Sequence, residues 1–110
     1  MGIKKQNQTF LGTKLTLEQD NKEIARISIV YVKNDLHGRS YALIEDLFVD
    51  EAYRGQGYAR KLFEAAIEEA KKSGSYKIVA TSRYSRNPVH EFYLRLGFKD
   101  YGKEFRLDLK

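Results

Sequence analysis

Cysteine is absent from the 110-residue sequence, which excludes disulfides, thiolate nucleophiles and thiolate-bound zinc. Proline occurs once, at Pro88. Only two histidines are present, His37 and His90, far apart and in no metal-ligand spacing, so no metal site is expected. No apolar run approaches the ~18–20 residues of a membrane-spanning helix, and no membrane partner is expected. Lys4 and Lys5 are followed by polar residues 6–9 rather than an apolar stretch. The start of the chain therefore lacks the form of a secretion signal, and a cytoplasmic location is expected.

Apolar types make up 42% and charged types 32%, the mixture of a globular chain, and the length suits one domain over residues 1–110. Twenty Lys and Arg against 15 Asp and Glu give a formal charge of +5. The excess favours an anionic partner only modestly, and its spread along the chain does not choose between nucleic acid, a phosphorylated cofactor and plain solubility.

Leu15 and Leu17 alternate with polar residues over Thr13–Glu18, which predicts a strand; Gln19–Lys22 reads as a turn. Residues 23–32 are rich in β-branched types. Ala25, Ile27, Ile29 and Tyr31 share one face and Ile24, Val30 and Val32 the other, which suits a covered strand. Tyr41–Val49 forms a third strand, interrupted by Glu45-Asp46. The period then lengthens: Ala59, Leu62, Phe63, Ala66, Ile67 and Ala70 form one helical stripe that Gly74 terminates. Lys77–Thr81 predicts a short strand parallel to 41–49. A second helix follows, capped by Ser85 or Asn87, with Pro88 in its first turn, Val89, Phe92, Tyr93 and Leu96 inward and Gly97 at its end. Phe105, Leu107 and Leu109 alternate with charges and predict a last strand. The order β-β-β-α-β-α-β implies an α/β (α+β) fold with one mixed sheet and flanking helices.

The segment from Val49 to Arg60 joins a strand to the head of the amphipathic helix. Gly55 and Gly57 permit a tight turn, and the residues from Gln56 to Arg60 carry the unpaired N–H groups of a first helical turn. Such donors suit a phosphate, and Arg54 and Arg60 can add charge. The same residues also fit an ordinary glycine-containing turn beside solvated arginines; the position after a strand favours the anion site. No Gly-Lys-Ser/Thr follows, so this is not a kinase-type P-loop. Ala59 stands where a dinucleotide fingerprint needs a third glycine.

This segment resembles the GCN5-related N-acetyltransferases (GNAT), whose motif Arg/Gln-x-x-Gly-x-Gly/Ala reads here Arg54-Gly55-Gln56-Gly57-Tyr58-Ala59. The strand Ile44–Val49 resembles the small-amine and amino-sugar acetylating branches. A later family block, Ala-x-x-Phe-Tyr-x-x-x-Gly-Phe, is filled by Val89 to Phe98, with Val89 in place of Ala. Many members carry Asn three residues before that Ala; here it is Arg86. The resemblance spans residues 14–109. It implies a GNAT-like mixed sheet and an acetyl-coenzyme A cofactor. The diphosphate would rest on Gln56, Gly57, Tyr58, Ala59 and Arg60, with Arg54 and Gly55 shaping the entrance. The pantetheine arm would run beside Leu47, Phe48 and Val49 where two parallel strands splay apart, with Leu47 and Val49 acting through their main chain. Arg86 and Tyr93 complete the cofactor contacts.

The implied activity is N-acetyl transfer, by direct attack of an amine on the thioester through a tetrahedral intermediate. A free amine has a pKa of ~10 and must lose a proton, the oxyanion must be stabilised, and the departing thiolate must be protonated. Tyr93 is the expected acid, Glu45 the expected group for steering the amine or taking its proton through water, and a main-chain N–H near Phe48 or Val49 the oxyanion donor. Simple alternation sends Glu45 and Asp46 to opposite faces, so they are not expected to form a dyad, and a charged pair inside an apolar strand requires a bulge or cleft. His90 reads as a capping or surface residue and His37 as a loop residue. Family members usually carry a strand and one or two helices before the part that begins here near Thr13. The acceptor side is therefore expected to be reduced, open to a small molecule or a protein amine, or completed by a second subunit in a homodimer. The alternatives are a protein that binds acetyl-coenzyme A with little catalysis and a basic nucleic-acid- or protein-binding module; nucleic acid is not the expected partner.

Overall fold

In the computed structural model, which describes all 110 residues, the alternating segment around Leu15 and Leu17 forms strand β1 (Gly12–Gln19). The chain reverses through Asp20 and Asn21, whose φ angles of 54° and 63° build the two-residue turn that matches the twist of antiparallel strands. β2 (Lys22–Val32) pairs antiparallel with β1, and β3 (Tyr41–Val49) pairs antiparallel with the other edge of β2. Helix α1 (Tyr58–Lys72) carries the chain across to β4 (Ile78–Val79), which lies parallel to β3. The sheet order is β1-β2-β3-β4. This is the mixed sheet with a crossover helix that the sequence predicts, although the strand expected over 77–81 forms a ladder only at Ile78 and Val79.

By contact the chain divides into two compact units, residues 1–80 and 81–110. In the first, one face of the sheet is apolar. Ala25, Ile27, Ile29, Ala42 and Ile44 are buried with Leu62, Phe63, Ala66 and Ala70 of α1, the stripe read from the 3.6-residue period. α1 closes with Gly74 N–H donating to Lys71 O and Ser75 N–H to Ala70 O, both at 3.1 Å, which satisfies two of its last carbonyls. Phe63 is the largest side chain with no exposed surface. Phe63→Ala is expected to lower stability by about 3–5 kcal/mol, read as a shifted midpoint in urea with an unchanged slope.

The second unit is built on α2 (Asn87–Arg95). Its N-cap is Arg86, whose carbonyl accepts from Val89 N–H (3.0 Å) and His90 N–H (3.2 Å); the side chains of Ser85 and Asn87, expected as caps, do not cap it. Pro88 occupies the first turn, where a missing N–H costs nothing. At the other end Gly97 N–H donates to Leu94 O and Phe98 N–H to Tyr93 O, both at 3.0 Å. The Tyr93 and Phe98 rings meet across this closure at 5.7 Å. The strand expected over 104–109 is not formed, and Phe105, Leu107 and Leu109 are exposed. Alternation marks a segment that could be a strand, but a strand needs a ladder partner, and residues 81–110 contain no other strand.

Candidate functional site

The charged pair inside β3 sits on a β-bulge. Ser28 faces Glu45 and Arg26 faces Phe48, so one residue of β2, Ile27, spans two of β3, Asp46 and Leu47. Asp46 takes the extra step with φ 54°. The bulge overrides simple alternation. Glu45 shares a face with Ser28, and Asp46 reaches Arg26 on that same face, so both carboxylates lie exposed on the side away from α1 rather than on opposite sides. Asp46 is bound by Arg26 at 2.7 and 3.2 Å, and that guanidinium holds its carboxyl below the usual range. The Glu45 carboxylate makes no hydrogen bond or ion pair and is open to solvent.

The bulge also sets the direction of the main chain. At the start of β3, Ala42 N–H donates to Lys77 O of the β4 side at 3.0 Å. At the end, Asp50 N–H donates to Ile24 O of β2 at 2.8 Å. Main-chain groups alternate sides along a strand, so Phe48 faces β2 while Leu47 and Val49 face away from it. On that far side the β3–β4 ladder stops at Leu43 opposite Val79. Leu47 and Val49 thus turn their main-chain donors and acceptors to an edge that the β3–β4 ladder leaves open. Only the Val49 carbonyl is engaged, accepting from Arg54 Nε at 2.9 Å.

The loop from β3 to α1 is pinned at its start and bare at its end. The Asp50 carboxylate accepts from Ala52 N–H (3.1 Å), the Asp50 carbonyl accepts from Tyr53 N–H (2.8 Å), and Lys22 Nζ lies 3.6 Å from Asp50. The rings of Tyr53 and Tyr58 approach to 6.4 Å and bracket the turn. Gly55 and Gly57 have φ of 77° and 83°, a region that L side chains rarely adopt, and this is why both positions are glycine. Gly57 is the N-cap of α1, and no side chain caps the helix. Lys61 N–H is the first to bond back, to Gly57 O at 3.1 Å, so the N–H groups of Gln56, Gly57, Tyr58, Ala59 and Arg60 have no partner within the protein. A helix-terminal row of unpaired donors suits a diphosphate. Of the arginines expected to assist, Arg54 folds onto the Val49 carbonyl, with its guanidinium 6.0 Å from the Phe48 ring centre. Arg60 bonds to Glu64 at 3.0 Å, down the helix.

Arg86 and Tyr93 belong to the second unit, where both line a cavity of about 250 Å³ with Arg83, Glu104 and Arg106 among its walls. Burial pushes the Tyr93 phenol up from its ordinary value, and the Arg86 charge pulls the other way. The hydroxyl therefore keeps its proton through the neutral range, the state a proton donor needs. His90 Nε2 donates to the Arg83 carbonyl at 2.7 Å and so ties the loop to α2. A carbonyl can only accept, so that nitrogen carries a proton. The His37 and Tyr76 rings lie 4.7 Å apart, tilted by 43°. No cluster of residues that could hold a metal is present, and no helix is long and apolar enough to cross a membrane.

Arg26 was not singled out from the sequence. It lies in the middle of a β-rich segment and reads there as a polar interruption. The signal that could have found it is the pairing of strands. Two consecutive acids in an apolar strand call for a bulge or a cleft, and the neighbouring strand carries one arginine at matching depth.

The sequence profile of the Acetyltransferase (GNAT) family matches residues 3–98. Over 72 residues the chain is 38% identical to a glucosamine 6-phosphate N-acetyltransferase of Trypanosoma brucei brucei, a match covering 66% of this chain and 47% of that protein. Over 84 residues it is 36% identical to N-alpha-acetyltransferase 30 of Schizosaccharomyces pombe, covering 73% of this chain and 55% of that one. The chain thus spans about half the length of these curated relatives. Among solved structures, a putative acetyltransferase from Agrobacterium tumefaciens superposes with a TM-score of 0.81 at 31% identity, covering 88% of this chain and 68% of that one.

Proposed function

Since this chain belongs to the acetyltransferase (GNAT) family, we propose that it is a cytoplasmic N-acetyltransferase that uses acetyl-coenzyme A to acetylate an amine, on a small molecule or a protein. The observation that carries this reading is the row of unpaired amides from Gln56 to Arg60, which follows directly on a strand whose outer edge is open at Leu47 and Val49. Acetyl-coenzyme A would supply a diphosphate, an amide-bearing arm and an acetyl thioester whose sulfur departs as a thiolate.

The chain's own groups match each of these needs. The amides of Gln56–Arg60 hold the diphosphate with fixed dipoles that need no rearrangement. The main chain of Leu47 and Val49 pairs with the arm as a further strand would. Of the two N–H groups expected near the acyl oxygen, that of Val49 faces the open edge and that of Phe48 faces β2. Glu45, exposed and unpaired on the face away from α1, accepts a proton from the incoming amine through water. Tyr93 retains its proton at neutral pH and donates it to the departing sulfur, with Arg86 supplying positive charge beside the phenol.

Calorimetry with acetyl-coenzyme A, followed by thiol release across a panel of amines and basic peptides, tests this. Saturable binding and acceptor-dependent release of free thiol are expected. Binding without such release leaves a cofactor-binding protein, and absence of binding removes the reading.

A further inference from the structure

We propose that Arg26 is a positioning residue for the cofactor strand: by clasping Asp46 it holds the β3 bulge in register and so decides which main-chain groups of residues 47–49 face the open edge. The proposal rests on the acetyl-coenzyme A reading for its consequence, but the clamp itself is a statement about β2 and β3 alone.

The bulge is what brings Leu47 and Val49 to the open side. Continued without it, the pairing of Ser28 with Glu45 would place residue 47, not Phe48, opposite Arg26, and residue 49 opposite Ile24. Every residue beyond the slip would turn over. Leu47 and Val49 would then bond to β2, Phe48 would take the open edge, and the bond from Asp50 N–H to Ile24 O would be lost. The bulge requires Asp46 to hold a φ of 54°, a conformation that is costly for L residues and that Asp, though more tolerant of it than most, holds more firmly when its side chain is tied down.

Arg26 ties it down from three directions. Its Nε and one Nη meet the two oxygens of Asp46 at 2.7 and 3.2 Å, a two-pronged contact that fixes orientation as well as distance. Its guanidinium lies 4.6 Å from the centre of the Phe48 ring, so it touches the residue after the slip point as well as the bulged one. The other Nη is 3.4 Å from Glu23, and Glu23 is held by Lys14 at 3.0 Å, which aims the arginine across the strands. Phe48 in turn lies under Arg54, the arginine of the β3–α1 loop, so the clamp reaches the start of the diphosphate turn.

The test compares wild type with Arg26→Met, Arg26→Lys and the double variant Arg26→Met/Asp46→Gly. Two readouts are taken: the cross-strand nuclear Overhauser contacts of residue 26, which fall on 48 with the bulge and on 47 without it, and the Kd for coenzyme A by calorimetry. Arg26→Met is expected to move the contacts toward 47 and to weaken coenzyme A binding about tenfold. Arg26→Lys keeps the charge but loses the two-pronged contact, and falls between. The double variant is expected to recover both register and affinity, because glycine adopts a positive φ unaided; a merely electrostatic or stabilising role for Arg26 would not be rescued this way. Contacts that stay on 48 in Arg26→Met, or a double variant that remains slipped, overturn the proposal. A wild type that does not bind coenzyme A removes the cofactor reading, while the register contacts still decide the clamp.

Discussion

Gly57→Trp is expected to cut coenzyme A affinity by about 100-fold or more while leaving the fold in place. Two effects combine. Any L residue at a φ of 83° pays for the left-handed conformation, ~1–2 kcal/mol, which is on the order of tenfold in binding if the turn relaxes to avoid it. The indole then occupies the space in front of the unpaired amides of Tyr58, Ala59 and Arg60, which the diphosphate needs. The fold tolerates the change because a Cβ at this position meets no atom within 4 Å, and the buried stripe of α1 begins only at Leu62. Gly57→Ala separates the two effects, since it carries the strain without the bulk, and about a tenfold loss is expected. Calorimetry beside a melting curve reads both variants. A tryptophan variant with unchanged Kd would show that the diphosphate is held elsewhere.

Tyr93→Phe is expected to lower kcat by about 100-fold with little change in KM for acetyl-coenzyme A. The substitution deletes one oxygen and keeps the ring, which packs against Phe92 at 5.9 Å and Phe98 at 5.7 Å. The bond that closes α2, from Phe98 N–H to the residue-93 carbonyl, is main-chain and survives. A loss confined to kcat therefore reads the proton and not the packing. The direction of the pKa shift gives the sign of the pH dependence. Burial raises the phenol above its ordinary value, so the donor stays protonated from acid pH through neutrality and is lost only in strong alkali. A kcat in Tyr93→Phe equal to wild type would make Tyr93 a packing residue only.

What could be read from the sequence was what local pattern encodes. The hairpin at Asp20 and Asn21, the α1 stripe through Phe63 and the glycines that shape the 55–57 turn each follow from a few neighbouring residues. The charged pair in β3 pointed to a bulge or a cleft, but not to which of the two, nor to its outcome. Which face Asp46 takes depends on a φ near 54°, and that depends on Arg26 of another strand. The 104–109 alternation failed for a related reason, because a strand exists only with a partner and a one-dimensional pattern does not supply it. Arg60 shows a third limit. Its place in the motif suggested an anion contact, while Glu64 one turn later competes for it at 3.0 Å.

On the proposed reading, what the outer edge of β3 would offer a cofactor arm is peptide groups. Truncating Leu47 or Val49 to alanine leaves each N–H and C=O where it was, so a conventional side-chain scan would pass over the positions that matter. Proline, which deletes the hydrogen, is the probe suited to this stretch. On the proposed reading, recognition there would depend on the path of the backbone and not on which apolar side chain each position carries.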